Sequence, residues 1–168
     1  MRTRRTILRT VPTITLRRTV EAPIERCFDL SRSIDFHLAS TPGTDEEVVG
    51  ARRTGLLGLH ERVTWRARHL GVRQTLTSEI TRYDRPRHFR DSMVRGAFAR
   101  FDHDHRFEPD PADPRRTILT DVFDFTSPLG PLGRLADALF LEGYVRRFLG
   151  RRLDALKTAL EAEALARR

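Results

Sequence analysis

The apolar repeat of this chain changes length once, and that change limits the fold more than any other feature. Between Glu46 and Phe125 hydrophobic residues recur at every second position, in segments parted by turn residues. Beyond the Pro- and Gly-rich stretch 127–133 the repeat becomes 3.6. Leu132, Leu135, Ala136, Leu139, Phe140, Val145, Phe148, Leu149, Leu153, Leu156 and Leu160 then make one broad stripe. A period of two marks half-buried strands, and a period of 3.6 marks an amphipathic helix. The fold class is therefore α+β, with a run of strands closed by a helix of roughly 30 residues.

The remaining elements follow from punctuation. Thr13 to Val20 reads as the first strand, and Pro23 suits the first turn of the helix after it. Two short helices are expected, Ile24 to Leu30 and Ile34 to Leu38, before a loop at Ser40 to Thr44. Six strands then follow: Glu47–Arg52, Leu59–Ala67, Val72–Arg82, His88–Val94, Ala99–Glu108 and Arg116–Phe125. Their connections are Leu70-Gly71, Tyr83 to Pro86, a turn at Gly96, and Pro109 to Arg115, whose prolines and aspartates read as loop. Seven strands and one long helix pack economically as a strongly curved antiparallel sheet whose concave face the helix covers. Residues 1–12 read as a basic lead-in, 13–162 as one domain and 163–168 as a tail.

Charge narrows the partners. The 168 residues carry a formal +8, and Lys157 is the one lysine among 31 basic residues. The arginines lie along the whole chain among acidic residues rather than in a block, which argues against nucleic acid. Arg146, Arg147, Arg151 and Arg152 fall largely off the apolar stripe and read as a solvated helix face. A single cysteine, Cys27, excludes an internal disulfide framework and reads as a buried structural thiol. No apolar run follows the basic MRTRRTILRTVP, so Arg4-Arg5 is a weak export signal, and no segment approaches the ~18 apolar residues of a membrane span. A cytoplasmic protein without stable membrane insertion is expected, as a monomer or homodimer, since open sheet edges permit a dimer without requiring one.

The chemistry concentrates in FDHDHRF. On a strand, Phe101, His103, His105 and Phe107 point to one face, and Asp102, Asp104 and Arg106 point to the other, which must meet solvent. Hairpin registers inferred from the turns place Trp65 opposite Leu76, Val63 opposite Ser78 and Glu61 opposite Ile80. They also place Ser78 opposite Asp91, Asp91 opposite His103 or His105, and His103 opposite Asp121. One inward row would then read Ser78, Asp91, His103, Asp121. Trp65, Met93, Phe98, Phe101 and Phe123 flank it as lining, and Glu61 and Gln74 share the inward parity. His37, His60, His69 and His88 read as solvated. Three readings of the row stay open: a hydrogen-bonded network that anchors a ligand's polar end, a His–Asp pair for proton transfer, and a two-histidine, one-carboxylate metal set. No further ligand motif supports the last, so no metal or cofactor is assigned.

Four stretches carry a family resemblance: TLRRTVEAPIERCFDL, LHERVTW, RYDRPRHFRDSMVRGAFARFDHDHRF and TDVFDFTSPLGPLGRLADALF. Together they resemble the START/Bet v 1-like (SRPBCC) helix-grip superfamily, over about Thr13 to Glu161. That resemblance implies a cavity between sheet and C-terminal helix for a hydrophobic ligand: a lipid, an isoprenoid or an aromatic polyketide-like molecule. Glu61, Trp65, Gln74, Ser78, Asp91, Met93, Phe98, Phe101, His103, His105, Asp121 and Phe123 are the expected ligand contacts. The alternative it implies is a polyketide cyclase or dehydratase, with His103 and Asp121 as the general acid/base pair. The superfamily hosts binders and enzymes alike, so the resemblance speaks more strongly for fold than for activity.

Overall fold

Burial alternates along Thr13–Val20, with Ile14 and Val20 inward, and this segment forms strand β1. The computed structural model describes residues 13–50, 52–126 and 140–167. Pro23, extended at φ −61° and ψ 144°, leads into α1 (Ile24–Ser31). Ser33 opens α2 (Ile34–Ala39), its side chain accepting from the Phe36 amide as an N-cap does. Then come β2 (Glu47–Val48), β3 (Arg62–His69), β4 (Val72–Asp84), β5 (His88–Arg95), β6 (Arg100–Asp110), β7 (Asp113–Thr126) and α3 (Glu142–Ala166).

All seven strands form one antiparallel sheet in the order β1-β7-β6-β5-β4-β3-β2. Strands β2 to β7 follow one another as a meander, and β1 crosses to the far edge beside β7. Val145, Leu149, Leu153, Leu156 and Leu160 are the buried stripe of α3, which packs on β1 and on α1. The α+β architecture expected from the change of period, a curved antiparallel sheet closed by a long helix, is the one observed, and it is the helix-grip fold that the resemblance implies.

Boundaries differ where backbone conformation overrides pattern. Strand β2 stops at Val48 instead of Arg52, because Gly50 turns at φ 124°. Strand β3 begins at Arg62 instead of Leu59, since His60 adopts φ 63° and the Glu61 amide closes a turn onto Gly58. The expected loop at Pro109 to Arg115 shrinks to Pro111-Ala112, because β6 runs on to Asp110 and β7 starts at Asp113. Helix α3 continues through 163–166, assigned above to a tail, and Arg26 bonds Glu163 there. The lead-in at 1–12 and the expected helix start near Leu132 lie outside the described residues.

Register decides what faces what. Leu70 and Gly71 both take positive φ, 51° and 80°, as a two-residue hairpin requires. Trp65 therefore faces Leu76 and Val63 faces Ser78, as inferred. The β4–β5 hairpin closes on Asp84–His88 and a bulge follows at Ile80/Arg82, which together leave β5 two residues from the expected register, so Ser78 faces Met93 and Asp91 faces Ile80. Asp91 does face His103. Beyond the shortened β6–β7 turn, a bulge at Pro109/Asp110 leaves that register two residues from the expected one: His103 faces Phe123, His105 faces Asp121 and Phe101 faces Phe125. A slip of two keeps every side chain on its face, so the inward set survives while its pairings change.

The sheet's outer face is less wet than its charges suggest. Asp104 is 5% exposed, clasped by Arg90 at 2.7 and 2.9 Å and by His88 at 2.6 Å. Alternation alone puts Asp104 in solvent, and His88 with it; three neighbouring donor nitrogens roof the carboxylate instead.

Candidate functional site

On the concave face, polar side chains interrupt an otherwise apolar core. One apolar lobe gathers Phe28, Trp65, Phe89, Phe107, Leu119, Leu153 and Leu156. A second gathers Ile14, Phe101, Phe123, Phe125, Val145 and Leu149, with Met93 and Phe98 packed against it. Between them β6 presents His103 and His105, and β7 presents Asp121, all at least nine-tenths buried.

Asp121 ties both histidines. Its Oδ1 accepts from His105 Nδ1 at 3.0 Å, and its Oδ2 lies 3.4 Å from His103 Nε2. The second contact is diagonal and not aligned as a hydrogen bond, so the buried His103 Nε2 has no hydrogen-bond partner among the described residues. The imidazole rings lie 3.9 Å apart, His105 stacks on Phe89 and His103 stands edge-on to Phe123. Asp91 joins from β5, under the influence of Ser78 and His103, while its Oδ1 is buried without a partner among the described residues.

Three members escape the strand pattern: Arg152, His37 and Glu46. Arg152 of α3, placed above on a solvated helix face, lines a void with His105 and Asp121, along with Ser31, Phe36, Leu153 and Leu156. That void is about 10 Å³, room for one water molecule. The Arg152 guanidinium faces Asp121, Glu46 and Asp91. His37 of α2, expected in solvent, stacks on Trp65 at 3.9 Å and hydrogen-bonds Glu46 at 3.1 Å. Spacing holds the clue for Arg152: Val145, Leu149, Arg152 and Leu156 step by four, three and four, a seam repeat. His37 likewise follows the buried Ile34 by one turn.

The electrostatics of the cluster follow from burial. Desolvation pushes both His37 and His105 down to about 4, so both imidazoles are neutral near pH 7. Burial alone would raise Asp121, but the adjacent His105 and His103 reverse it, His105 through its hydrogen bond as well, and hold the carboxyl well below its ordinary range. For Asp91 burial outweighs the opposing pull of His103, Ser78 and Arg152, and raises it. Burial likewise lowers Arg152 against the pull of three carboxylates. Such a row can donate from neutral imidazole, accept at carboxylate and hold one cation in place.

Other expected residues stand elsewhere. Glu61 is turned to a local loop, accepting from Arg52 and from the Gly58 amide. Gln74 sits opposite Ala67 on the inward face, half-buried. His69 is not solvated: its Nδ1 meets the Tyr144 hydroxyl at 2.8 Å and its ring abuts Phe148. His60 is exposed as expected. Cys27 is fully buried, its thiol pushed up to about 11 by burial, as an inert structural cysteine should be. Phe140, counted in the apolar stripe, is 67% exposed.

Among the described residues no helix is long and apolar enough to cross a membrane. TTHA0849 from Thermus thermophilus superposes at TM-score 0.72 with 19% identity, covering 90% of this chain and 99% of that one. The Zhui aromatase/cyclase from Streptomyces sp. R1128 gives 0.72 with 18% identity, covering 92% and 96%. A START superfamily protein from Mycobacterium smegmatis gives 0.62 with 14% identity, covering 93% and 99%. At these identities the likeness is one of fold. No protein of curated function matches the sequence. Residues 11–161 match the family described as polyketide cyclase / dehydrase and lipid transport, and the chain belongs to that family.

Proposed function

We propose that this chain binds a hydrophobic small molecule between the sheet and α3, with the ligand's polar end on the row His103, His105, Asp121 and Asp91. One observation carries the reading: buried polar atoms stand without hydrogen-bond partners among the described residues, inside an aromatic enclosure. Burying Asp91 Oδ1 and His103 Nε2 unsatisfied costs about 1–3 kcal/mol each, and no gain in stability explains them. A ligand hydroxyl, which can donate to Asp91 Oδ1 and either donate to or accept from an imidazole nitrogen, suits both. Phe98, Phe101, Phe123 and Met93 supply the apolar surroundings, in the proportion typical of ligand sites.

The void of about 10 Å³ admits the polar end alone, so the apolar body enters as α3 parts from the sheet. Ties along α3 support opening at one end. Its C-terminal half is bonded through Asp154 to Arg18, Lys157 to the Thr19 carbonyl, and Glu163 to Arg26. Its N-terminal half is held to the sheet by Tyr144–His69 and apolar packing among the described residues. The half of the helix beside Phe148 and Val145 is therefore the half that lifts. Family membership and the fold shared with an aromatase/cyclase support an aromatic or lipid-like ligand.

A second reading, a cyclase or dehydratase, rests on the His105–Asp121 hydrogen bond. Asp121 fixes the proton on Nδ1 and leaves Nε2 with a lone pair, as a general base needs. Native mass spectrometry of gently purified protein, with solvent extraction, tests binding: one apolar molecule per chain is expected. A chain that carries none, and takes up none from a panel of lipids, isoprenoids and aromatic polyketides, overturns the proposal. Turnover of an aromatic poly-β-ketone that Asp121→Asn abolishes without unfolding would favour the enzyme.

A further inference from the structure

Beyond apolar binding, we infer that His103, His105 and Asp121 form a binding site for one divalent transition-metal ion of the zinc type. The ligating atoms of these three residues all lie within 4.8 Å of one another. Two contacts are closer still: His105 Nδ1 to Asp121 Oδ1 at 3.0 Å and His103 Nε2 to Asp121 Oδ2 at 3.4 Å. Metal–nitrogen and metal–oxygen bonds are about 2.1 Å, which sets the ligand-to-ligand edge at about 3.4 Å for a tetrahedral ion and about 3.0 Å for an octahedral one. Each histidine therefore stands at coordination spacing from a carboxylate oxygen of Asp121, and the third edge of the triangle is no longer than 4.8 Å.

An independent observation points the same way. His103 is buried, and its Nε2 has no hydrogen-bond partner among the described residues. A nitrogen aimed at a carboxylate yet not bonded to it is placed as a ligand would be. The surroundings favour a cation as well: Asp91, Glu46 and Asp121 set three carboxylates against the single guanidinium of Arg152. Two imidazoles and a carboxylate select a borderline ion such as Zn²⁺, Co²⁺ or Fe²⁺ over Ca²⁺ or Mg²⁺. Three protein ligands leave a position open, the arrangement of sites that bind an exchangeable group. Two of the three ligands, His105 and Asp121, border a void of about 10 Å³. On metal binding the proton on His105 Nδ1 moves to Nε2, so the ring ligates without changing charge.

Chelator-treated full-length protein, titrated with Zn²⁺ near neutral pH by calorimetry and by imidazole ¹⁵N NMR, tests this. One equivalent is expected, with the ligating-nitrogen shifts confined to His103 and His105. Losing even an outer-shell partner costs a metal site about 10- to 100-fold, so His103→Gln should weaken binding by at least about 100-fold, and His60→Gln should change nothing. The wild-type NMR readout stands even if His103→Gln fails to fold. No stoichiometric binding, shifts at other histidines instead, or unchanged affinity in a folded His103→Gln would overturn the inference. The titration contains no apolar ligand, so its failure leaves the binding proposal untouched.

Discussion

Lowering the pH from 7 to 5 should destabilise this protein through two buried histidines. His37 and His105 ionise at about 4 when folded, against 6.5 when exposed. Below pH 6.5 the unfolded chain therefore binds protons that the folded chain refuses. Stability supplied by the neutral rings is present above 6.5 and drains as pH falls toward 4. Between pH 7 and pH 5 the linkage amounts to about 2 kcal/mol for each ring, about 4 for both, before salt and relaxation reduce it. Asp91 works with the opposite sign, since its raised value makes the folded state the better proton acceptor just above the ordinary carboxylate range. Urea denaturation of metal-free protein at several pH values reads the slope. His37→Gln and His105→Gln should each remove about half of the loss while costing some stability at pH 7. An acid slope identical in wild type and both variants would refute the reasoning, because it would place the titrating groups elsewhere.

Three further outcomes are expected. Phe28 is fully buried and meets Tyr83, Phe89 and Phe107 edge-on, so Phe28→Ala should cost about 3–5 kcal/mol; a loss under about 1 in thermal denaturation would deny that hub. Asp104 is drawn down to about 2 despite its burial, by bonds from Arg90 and His88. Asp104→Asn should therefore cost about 1 kcal/mol at neutral pH, a value discounted because both donors are a quarter exposed. That cost should vanish as pH falls from 3.8 through 2, and a cost independent of pH would contradict it. Tyr144→Phe removes the hydrogen bond to His69; stopped-flow uptake of an apolar fluorophore should quicken several-fold, and an unchanged rate would mean that α3 does not open at this end.

Much of this molecule is legible in sequence because side-chain parity survives register error. His103, His105, Asp121 and Asp91 share the concave face whatever their partners, since a slip of two leaves faces intact. The pairings fail where the β4–β5 hairpin closes on Asp84–His88 and where bulges enter at Ile80/Arg82 and Pro109/Asp110. Bulges answer to twist and turn closure, which alternation does not record. Arg152 and His37 escape for another reason. Each occupies a core position of its helix, and its polar character hides a periodicity that is present. Asp104 errs in the opposite sense: a charged residue on an outer face reads as wet, and only the neighbouring strand reveals the two side chains that cover it.

The central claim is that the buried row receives the polar end of an apolar ligand. Imidazole ¹⁵N NMR of the protein saturated with an extracted or panel-identified ligand tests it most directly. The account predicts that His103 and His105 change shift on binding while the exposed His60 does not. Saturable binding that leaves both His103 and His105 unmoved would contradict it.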